Sequence, residues 1–536
     1  MSNSREIDAR RLVANFQSGR LSRREFVKAA MALGATAAFA NTLSINVAQA
    51  ATPKRGGRMT LAMGHGSTTD DLDPALIENG WQWTAMFGIC NTLIELAADG
   101  NLVPSLAESW EPSADLKTWR FKIRQGVEFH DGRKLTAKDV AGNLRYHTGE
   151  ESKSVVKAVL SSITDIKIEN DDTVVITLES GNADFAYSLN SANLAIMPSS
   201  EDGDLDWKSR VGTGGYRLKE FNPGVTAVFE RNPKYWKKDR AHADEVELLS
   251  IKDPVARTTA IMSGSVDAID KVDTKTAQLL SRNPDIVIEE SSGPLHYVFA
   301  MQTQVAPFDN VHVRQALKLS VDREEFVRKI LNGHGEVGND HPIGKSYRYI
   351  AEDIEQNSYD PDKAKWHLKQ AGMDSLSVDL HAADAAFAGA VDAAALFQNN
   401  ARKSGIEVNV IREPNDGYWA NVWNVKPFVV SYWGGYPTED VMFTTGYTTG
   451  AAWNETQFSD MEFEKILLAA RAEGDEERRR AMYREMQIIL RDKGGVIVPA
   501  FANDLVARTK RIAHGEHVSP LKAFDGRRII ERWWVA

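Results

Sequence analysis

Phe121-Lys122-Ile123-Arg124-Gln125-Gly126-Val127-Glu128-Phe129-His130-Asp131-Gly132 runs almost directly into Leu135-Thr136-Ala137-Lys138-Asp139-Val140. Apolar and polar side chains alternate on both sides of Gln125-Gly126, so the phase predicts two strands, Trp119–Arg124 and Val127–His130, about a turn. Asp131-Gly132 reads as a second turn, because glycine tolerates positive φ. Thr136, with Asp139 three positions on, marks the start of a helix over Thr136–Tyr146. Strands, tight turns and a capped helix within a short span point to a mixed α/β chain.

Outward from this stretch the same grammar continues. Arg58–Met63 alternates as a strand and is followed by a Thr68–Pro74 loop. Trp81–Leu96 has helical spacing and ends at Asp99-Gly100. Thr164–Glu169 and Val174–Glu179 flank Asn170-Asp171-Asp172 as a hairpin. Strands are predicted at Tyr216–Phe221, Val225–Glu230 and Glu245–Ile251. After about residue 310 longer helices take over, at Val313–Ile330, Pro361–Ala371, Ala386–Lys403 and Phe458–Arg491. Strands Ser377–His381, Glu407–Ile411 and Phe428–Tyr432 alternate with them in a βαβ-like rhythm, and Val496–Phe501 closes the series. Two α/β lobes with a ligand in the cleft fit this order. Periodicity alone equally allows a large α/β enzyme.

The chain has 536 residues, 43% hydrophobic and 26% charged, with 38 Gly, 18 Pro and one cysteine. That is a globular composition, with length for two to four domains at roughly 100–200 residues each. One cysteine, Cys90, excludes an intramolecular disulfide, a four-cysteine zinc site and an iron–sulfur cluster. Cys90 stands on the apolar face of its helix as a small structural hydrophobe. Residues 1–50 carry seven basic and three acidic residues; without them 57 basic stand against 71 acidic side chains, a net charge of −14. So acidic a surface argues against nucleic-acid or anionic-membrane partners.

Residues 1–50 form a targeting segment. Ser22-Arg23-Arg24-Glu25-Phe26-Val27-Lys28 precedes the apolar run Ala29–Phe39, and Ala48-Gln49-Ala50 reads as a cleavage site before Ala51. The spacing resembles the twin-arginine export signal of bacteria, carried by Arg23 and Arg24. The apolar run is shorter than the ~20 residues that span a bilayer. The mature protein is therefore expected to be soluble and periplasmic, with no membrane insertion.

Residues for chemistry are sparse. The twelve histidines are scattered, with His514 and His517 a close pair. There is no His-Glu-x-x-His, no Cys/His cluster and no Gly-x-Gly-x-x-Gly opening a helix. Ser263-Gly264-Ser265 only superficially suggests a nucleophile elbow and reads better as a helix end before a short strand. His65, in Gly64-His65-Gly66, reads as a loop histidine. No catalytic residue, metal site or cofactor is expected.

Further motifs stand in one order along the chain. They are Gly56-Gly57-Arg58-Met59-Thr60-Leu61, Leu102-Val103-Pro104-Ser105-Leu106-Ala107-Glu108-Ser109-Trp110-Glu111 and Gly212-Thr213-Gly214-Gly215-Tyr216. Arg231-Asn232-Pro233-Lys234-Tyr235-Trp236, Phe308-Asp309-Asn310-Val311-His312-Val313-Arg314-Gln315-Ala316-Leu317 and Tyr359-Asp360-Pro361-Asp362-Lys363-Ala364 follow. With the opening stretch, this set resembles the extracellular solute-binding proteins of family 5, the dipeptide-, oligopeptide- and nickel-binding receptors of ABC importers. The resemblance spans residues 56–536. It implies a two-lobed periplasmic-binding-protein fold of type II: lobe I from 51–88, 207–305 and 496–536, an inserted subdomain at 89–206, and lobe II at 306–495. Within that scaffold Arg314 and Asp322 are expected to form a buried ion pair.

The resemblance also shows where this chain departs. Peptide receptors of the family carry Trp-x-x-Asp-Tyr-x-Asp-Pro in a second-lobe loop, whose first Asp holds the peptide ammonium. Here Tyr432-Trp433-Gly434-Gly435-Tyr436-Pro437 keeps the frame, but Gly435 replaces that Asp. Ala382-Ala383-Asp384-Ala385-Ala386-Phe387 lacks the arginine that dipeptide receptors place there for the ligand carboxylate. What remains near the expected cleft is aromatic: Trp419, Trp423, Tyr432, Trp433, Tyr436 and Trp453, with Trp81 and Trp83 from the first lobe. Aromatic faces hold cations and sugar-like faces alike, at least half of these rings being expected to pack in the core. Ligand contacts are thus expected at Trp433, Gly434, Tyr436, Trp81, Trp83, Trp419 and Trp453, with Glu439, Asp440 or Asp384 as substitute acids.

The reading is a monomeric, non-enzymatic receptor that closes by a hinge around a peptide or peptide-like solute and delivers it to a membrane permease and its ATPase. The alternatives are a receptor for an opine-like, cationic or sugar-like solute, a ligand-sensing protein without a transporter, and an exported α/β enzyme. Replacing Arg23 and Arg24 together by Lys is expected to abolish the periplasmic fraction of the protein. Unchanged export would leave a general secretory signal instead.

Overall fold

The computed structural model describes residues 53–98, 100–200 and 203–536. The paired arginines and the cleavage point lie outside the described residues. An eleven-stranded sheet runs through the molecule. Its order is Ile406–Arg412, Leu376–Ala382, Phe428–Trp433, Ile286–Met301, Val496–Thr509, Ala268–Ile269, Arg58–Met63, Glu245–Ser250, Thr226–Arg231 and Tyr216–Asn222. Gly335–Val337 adds to Val496–Thr509 beside this path. Leu376–Ala382 is parallel to both its neighbours, and so is Arg58–Met63. Each end of the sheet is thus an α/β unit, and the architecture is that of the mixed two-lobed class.

The two long central strands join these units. Ile286–Met301 and Val496–Thr509 pair antiparallel from Ile286 against Thr509 to Ser292 against Asn503, and the ladder resumes only at His296 against Phe501. Gly293, Pro294 and Leu295 fall in this register shift, and proline has no N–H to give to a ladder. Partners change across the same bulge. Beyond it, His296–Met301 pairs with Phe428–Trp433 of the second lobe, while Ala507 and Arg508 pair with Ala268–Ile269 of the first. The covalent and hydrogen-bonded link between the lobes is therefore at its thinnest where they meet.

Apolar cores follow this division. Met59, Trp81, Phe229, Val246 and the returning C-terminal Ile529, Ile530 and Trp533 pack at one end, and Phe299, Leu317, Leu380, Phe397 and Phe428 at the other. A separate antiparallel sheet, Ala107–Pro112, Thr118–Ile123, Thr173–Leu178 and Ile163–Asn170, carries helix Ala137–Thr148 over a core of Phe121, Val140, Leu144, Ile176 and Phe185. That helix starts as its sequence indicates, with the Asp139 carboxylate accepting the Thr136 N–H at 2.9 Å. This unit reaches the second lobe through Asp184, which pairs with Arg348 (2.8 Å) and Arg479 (2.5 Å). Among the described residues no helix is long and apolar enough to cross a membrane.

Several expected elements differ. Val127–His130 is a loop closed on itself by Phe129 N–H to Arg133 O and Leu135 N–H to Val127 O, with one bridge, Glu128 to Lys134. The Trp81–Leu96 helix is Gly80–Ile89, and Ile94–Leu96 is a strand. The helix stops because Gly214 donates its N–H to Ile89 O at 2.9 Å, and a Cβ at Gly214 would lie 2.4 Å from the Ile89 carbonyl carbon. Val313–Ile330 is two helices, Val311–Leu319 and Arg323–Lys329, the second capped by Asp322. The Ala386–Lys403 helix is Ala390–Ala401, its first turn given up to a loop through Gly389. Phe458–Arg491 breaks likewise into Met461–Arg471 and Glu476–Lys493, with Asp475 capping the second.

The expected Arg314–Asp322 pair does not form. Arg314 donates to the backbone oxygens of Phe308 and Lys493 at the end of the long helix, and Asp322 serves as a cap. The buried ion pair of this region is Arg323–Asp340 at 2.6 Å, and Asp340 also accepts the Val498 N–H at 3.0 Å. Cys90 is fully buried, and burial pushes its thiol pKa up.

Candidate functional site

Two adjoining cavities, of about 680 and about 240 Å³, lie at the bulge of the central strands. Leu295 and Tyr297 face the larger and Pro294 the smaller, while Trp83, Leu521 and Lys522 line both. The larger takes its remaining wall from His65, Lys271 and Arg527 of the first lobe, Asn503 and Asp504 of the central strand, and Phe387, Tyr432 and Gly434 of the second. Tyr297 and Phe387 stack face to face on its wall, their centroids 3.7 Å apart and their planes nearly parallel. The smaller cavity lies between Tyr187 and Ser191 of the four-stranded unit, Tyr436 of the second lobe, and Asp525, Arg528 and Arg532 of the C-terminal segment. Walls from both lobes around one cavity are the geometry of a closing cleft.

Its charges divide into paired and unpaired. Arg527 meets Asp270 at 3.3 Å; Arg532 meets Glu95 at 2.8 Å and Asp525 at 3.0 Å. His65 lies 3.8 Å from Asp270, but burial and the Lys271 charge hold its pKa down at about 4, so it is neutral at pH 7. Asp504 accepts no side-chain or backbone hydrogen bond on its carboxylate among the described residues, and burial raises its pKa. The Lys522 ammonium sits 3.0 Å from the centroid of the Trp83 ring. Burial, with the nearby Arg527 charge, lowers its pKa to about 7.

The residues expected from sequence separate into three groups. Trp83, Gly434, Tyr436 and Tyr432 line the cavities. Asp384 is exposed at the rim, accepting the Val391 N–H at 3.2 Å, while Ala386–Ala388 just after it reach the larger cavity. The others lie elsewhere. Trp81 is wholly buried against Phe221 in the first-lobe core. Trp433 is 5% exposed in the second-lobe core, its indole N–H donated to Glu455 at 2.7 Å, and Trp423 donates to the other oxygen of the same carboxylate. Trp419 and Trp453 are 41% and 53% exposed, in edge-to-face contact with Trp423, and line neither cavity. Trp423 and Trp433 thus serve a buried glutamate, while Tyr432 and Tyr436 of the same set line the cavities.

The substitute acids Glu439 and Asp440 are also turned inward. Glu439 accepts the Tyr349 N–H at 2.5 Å, and burial raises its pKa to about 7. Asp440 is paired with Arg471 at 3.0 Å. Gly435 has φ +76°, and a Cβ there would lie 2.1 Å from Pro294 Cβ. An aspartate restored at this position would therefore strain the bulge before it met a ligand. Sequence reading missed Lys522, Asp504, Tyr297 and Arg528, for which no local motif gives a signal. His65, read as a loop residue, is in a loop and on the cavity wall.

These features agree with known proteins. Residues 101–455 match the bacterial extracellular solute-binding proteins, family 5 Middle, and the chain belongs to that family. The dipeptide-binding protein DppE of Bacillus subtilis is 23% identical over 510 residues, which cover 86% of this chain and 90% of that one. The binding protein AgaA of A. tumefaciens R10, solved with agropinic acid, superposes with a TM-score of 0.72 at 25% identity, covering 90% of this chain and 99% of its own. DppA of Helicobacter pylori, solved with the peptide STSA, gives 0.73 at 22%, covering 89% and 98%. The chain is thus a non-catalytic solute-binding protein of an ABC import system.

Trp433→Ala is expected to lower folding stability by ~3–5 kcal/mol, the range for a large buried aromatic. It also takes one of two indole donors from a buried carboxylate. Denaturant unfolding reads the loss. Weakened ligand binding in a variant of unchanged stability would return Trp433 to the ligand's surroundings.

Proposed function

We propose that this chain is the periplasmic receptor of an ABC importer for a short peptide or peptide-like solute bearing a carboxylate. The observation that carries this reading is the larger cavity. Its volume falls in the ~300–1,000 Å³ range of small-molecule sites. Its walls come from both lobes, and it holds an ammonium, Lys522, and a carboxylate, Asp504, that form no hydrogen bond or ion pair among the described residues. The lobes, divided as 51–88, 207–305 and 496–536 against 306–495, close over it by bending at Gly293–Leu295. Export runs through the twin-arginine signal, and the closed receptor presents its solute to the permease.

A second reading, an opine-like conjugate in place of a peptide, is favoured by the likeness to AgaA, which was solved with agropinic acid, itself an acid by name. A thermal-shift screen distinguishes them. Short peptides, agropinic acid, betaines and neutral oligosaccharides are added to the purified mature chain. A solute that binds only the folded state adds about 2.7 kcal/mol at a hundredfold excess over its Kd. A short peptide or agropinic acid is expected to raise the melting temperature. A response confined to betaines or oligosaccharides contradicts both readings.

A further inference from the structure

Four consecutive residues near the C-terminus, Phe524, Asp525, Gly526 and Arg527, hold left-handed backbone angles, with φ of +59°, +56°, +63° and +69°. Only glycine adopts this conformation freely; for other L-residues it is strained. Such strain persists where the surroundings over-determine it, and it concentrates at binding sites. Here the surroundings are identifiable. The Asp525 carboxylate accepts the Ser519 N–H at 2.9 Å, Arg532 at 3.0 Å and the Trp533 indole at 3.3 Å. Gly526 donates its N–H to Lys522 O at 2.9 Å, and Arg527 folds over Gly80, where a Cβ would come within 2.8 Å of the guanidinium carbon.

The turn delivers Lys522 to the one stretch of wall that both cavities share. Its ammonium has neither an ion-pair partner nor a hydrogen-bond acceptor among the described residues, and its contact is the face of Trp83. The indole N–H of that same tryptophan is buried without an acceptor. The charged groups around it are occupied or of like sign. Arg527 is paired with Asp270, Arg532 with Asp525 and Glu95, and Arg528 lies 3.6 Å from Glu531. Lys271 and Asp504 face the larger cavity farther along its wall. Two neighbouring donors, one over the indole face and one in its plane, thus lack an acceptor, and a buried unpaired donor is costly unless something fills it.

Resting on the receptor reading above, we propose that Lys522, held over Trp83 by the left-handed turn, is the anchor for the carboxylate of the solute. It determines specificity for acids over their neutral analogues. The cation–π contact keeps the ammonium in place in the open receptor, and the incoming carboxylate replaces the missing acceptor when the lobes close.

The test compares wild-type mature chain with Lys522→Met and Lys522→Arg by calorimetry, using L-alanyl-L-alanine, its C-terminal amide and agropinic acid as probes. An unchanged melting temperature of the unliganded variants establishes that they fold. Wild type is expected to bind at least one acid, and to prefer the dipeptide acid over its amide by about 10- to 100-fold, the worth of a charge-assisted hydrogen bond. Lys522→Arg keeps the acid affinity largely intact. Lys522→Met loses it by a similar factor and no longer distinguishes acid from amide. A Lys522→Met variant that still binds the acids like wild type, or a wild type indifferent to amidation, overturns the assignment and leaves solute capture standing. A wild type that ignores all three probes yet is stabilised by a neutral oligosaccharide overturns the anchor and the peptide reading together.

Discussion

Sixteen residues of one strand, Ile286–Met301, lie antiparallel to fourteen of another, Val496–Thr509, and both lobes hang on that pairing. The strands are buried in both cores, so hydrophobic burial fixes their ends while the interruption at Gly293–Leu295 weakens their middle. A ladder intact throughout would hold the two α/β units as one rigid slab. Interrupted near its centre, it is where the proposed motion would leave both cores intact. The cleft stands at that interruption, with Pro294, Leu295 and Tyr297 on its walls. The proposed hinge and the cleft share the same interruption of the ladder.

The electrostatics of the cleft run against those of the whole. The chain beyond residue 50 carries a net charge of −14, yet Lys522 stands on the wall that both cavities share, with Arg527 on the larger and Arg528 and Arg532 on the smaller. Carboxylates from three parts of the chain, Glu95, Asp270 and Asp525, neutralise all but part of this cluster. The cation left over is the one held on Trp83. Burial keeps its pKa near 7, so arrival of an anion also favours its charged form. Elsewhere, Asp184 joins Arg348 and Arg479 across the four-stranded unit and the second lobe.

Local sequence disclosed what local forces decide. The hairpin about Asn170-Asp171-Asp172 and the helix begun by Thr136 and Asp139 stand within a residue or two of their expected limits, because turn and capping residues act on their neighbours. Elements decided by distant contacts were not legible. The helix from Gly80 stops at Ile89 because Gly214, far along the chain, occupies its last carbonyl. The second-lobe aromatics looked like a ligand cage, since nothing in the sequence marks Glu455 as the buried acid that Trp423 and Trp433 serve. Lys522 was hidden for the same reason. Its place depends on a left-handed turn at residues of ordinary type, set by Asp525 and its partners.

Motion about Gly293–Leu295 is the claim from which the rest follows, and a distance across the hinge tests it most directly. Cys90 is buried, so cysteines placed at the exposed Val255 and Met461 accept spin labels selectively. Pulsed electron resonance then reads the separation of the lobes. Saturating the labelled protein with a solute, occupancy being verified by calorimetry, is expected to move the distance distribution to a shorter, narrower peak. An identical distribution in the empty and the fully occupied protein would contradict hinge closure about the broken ladder.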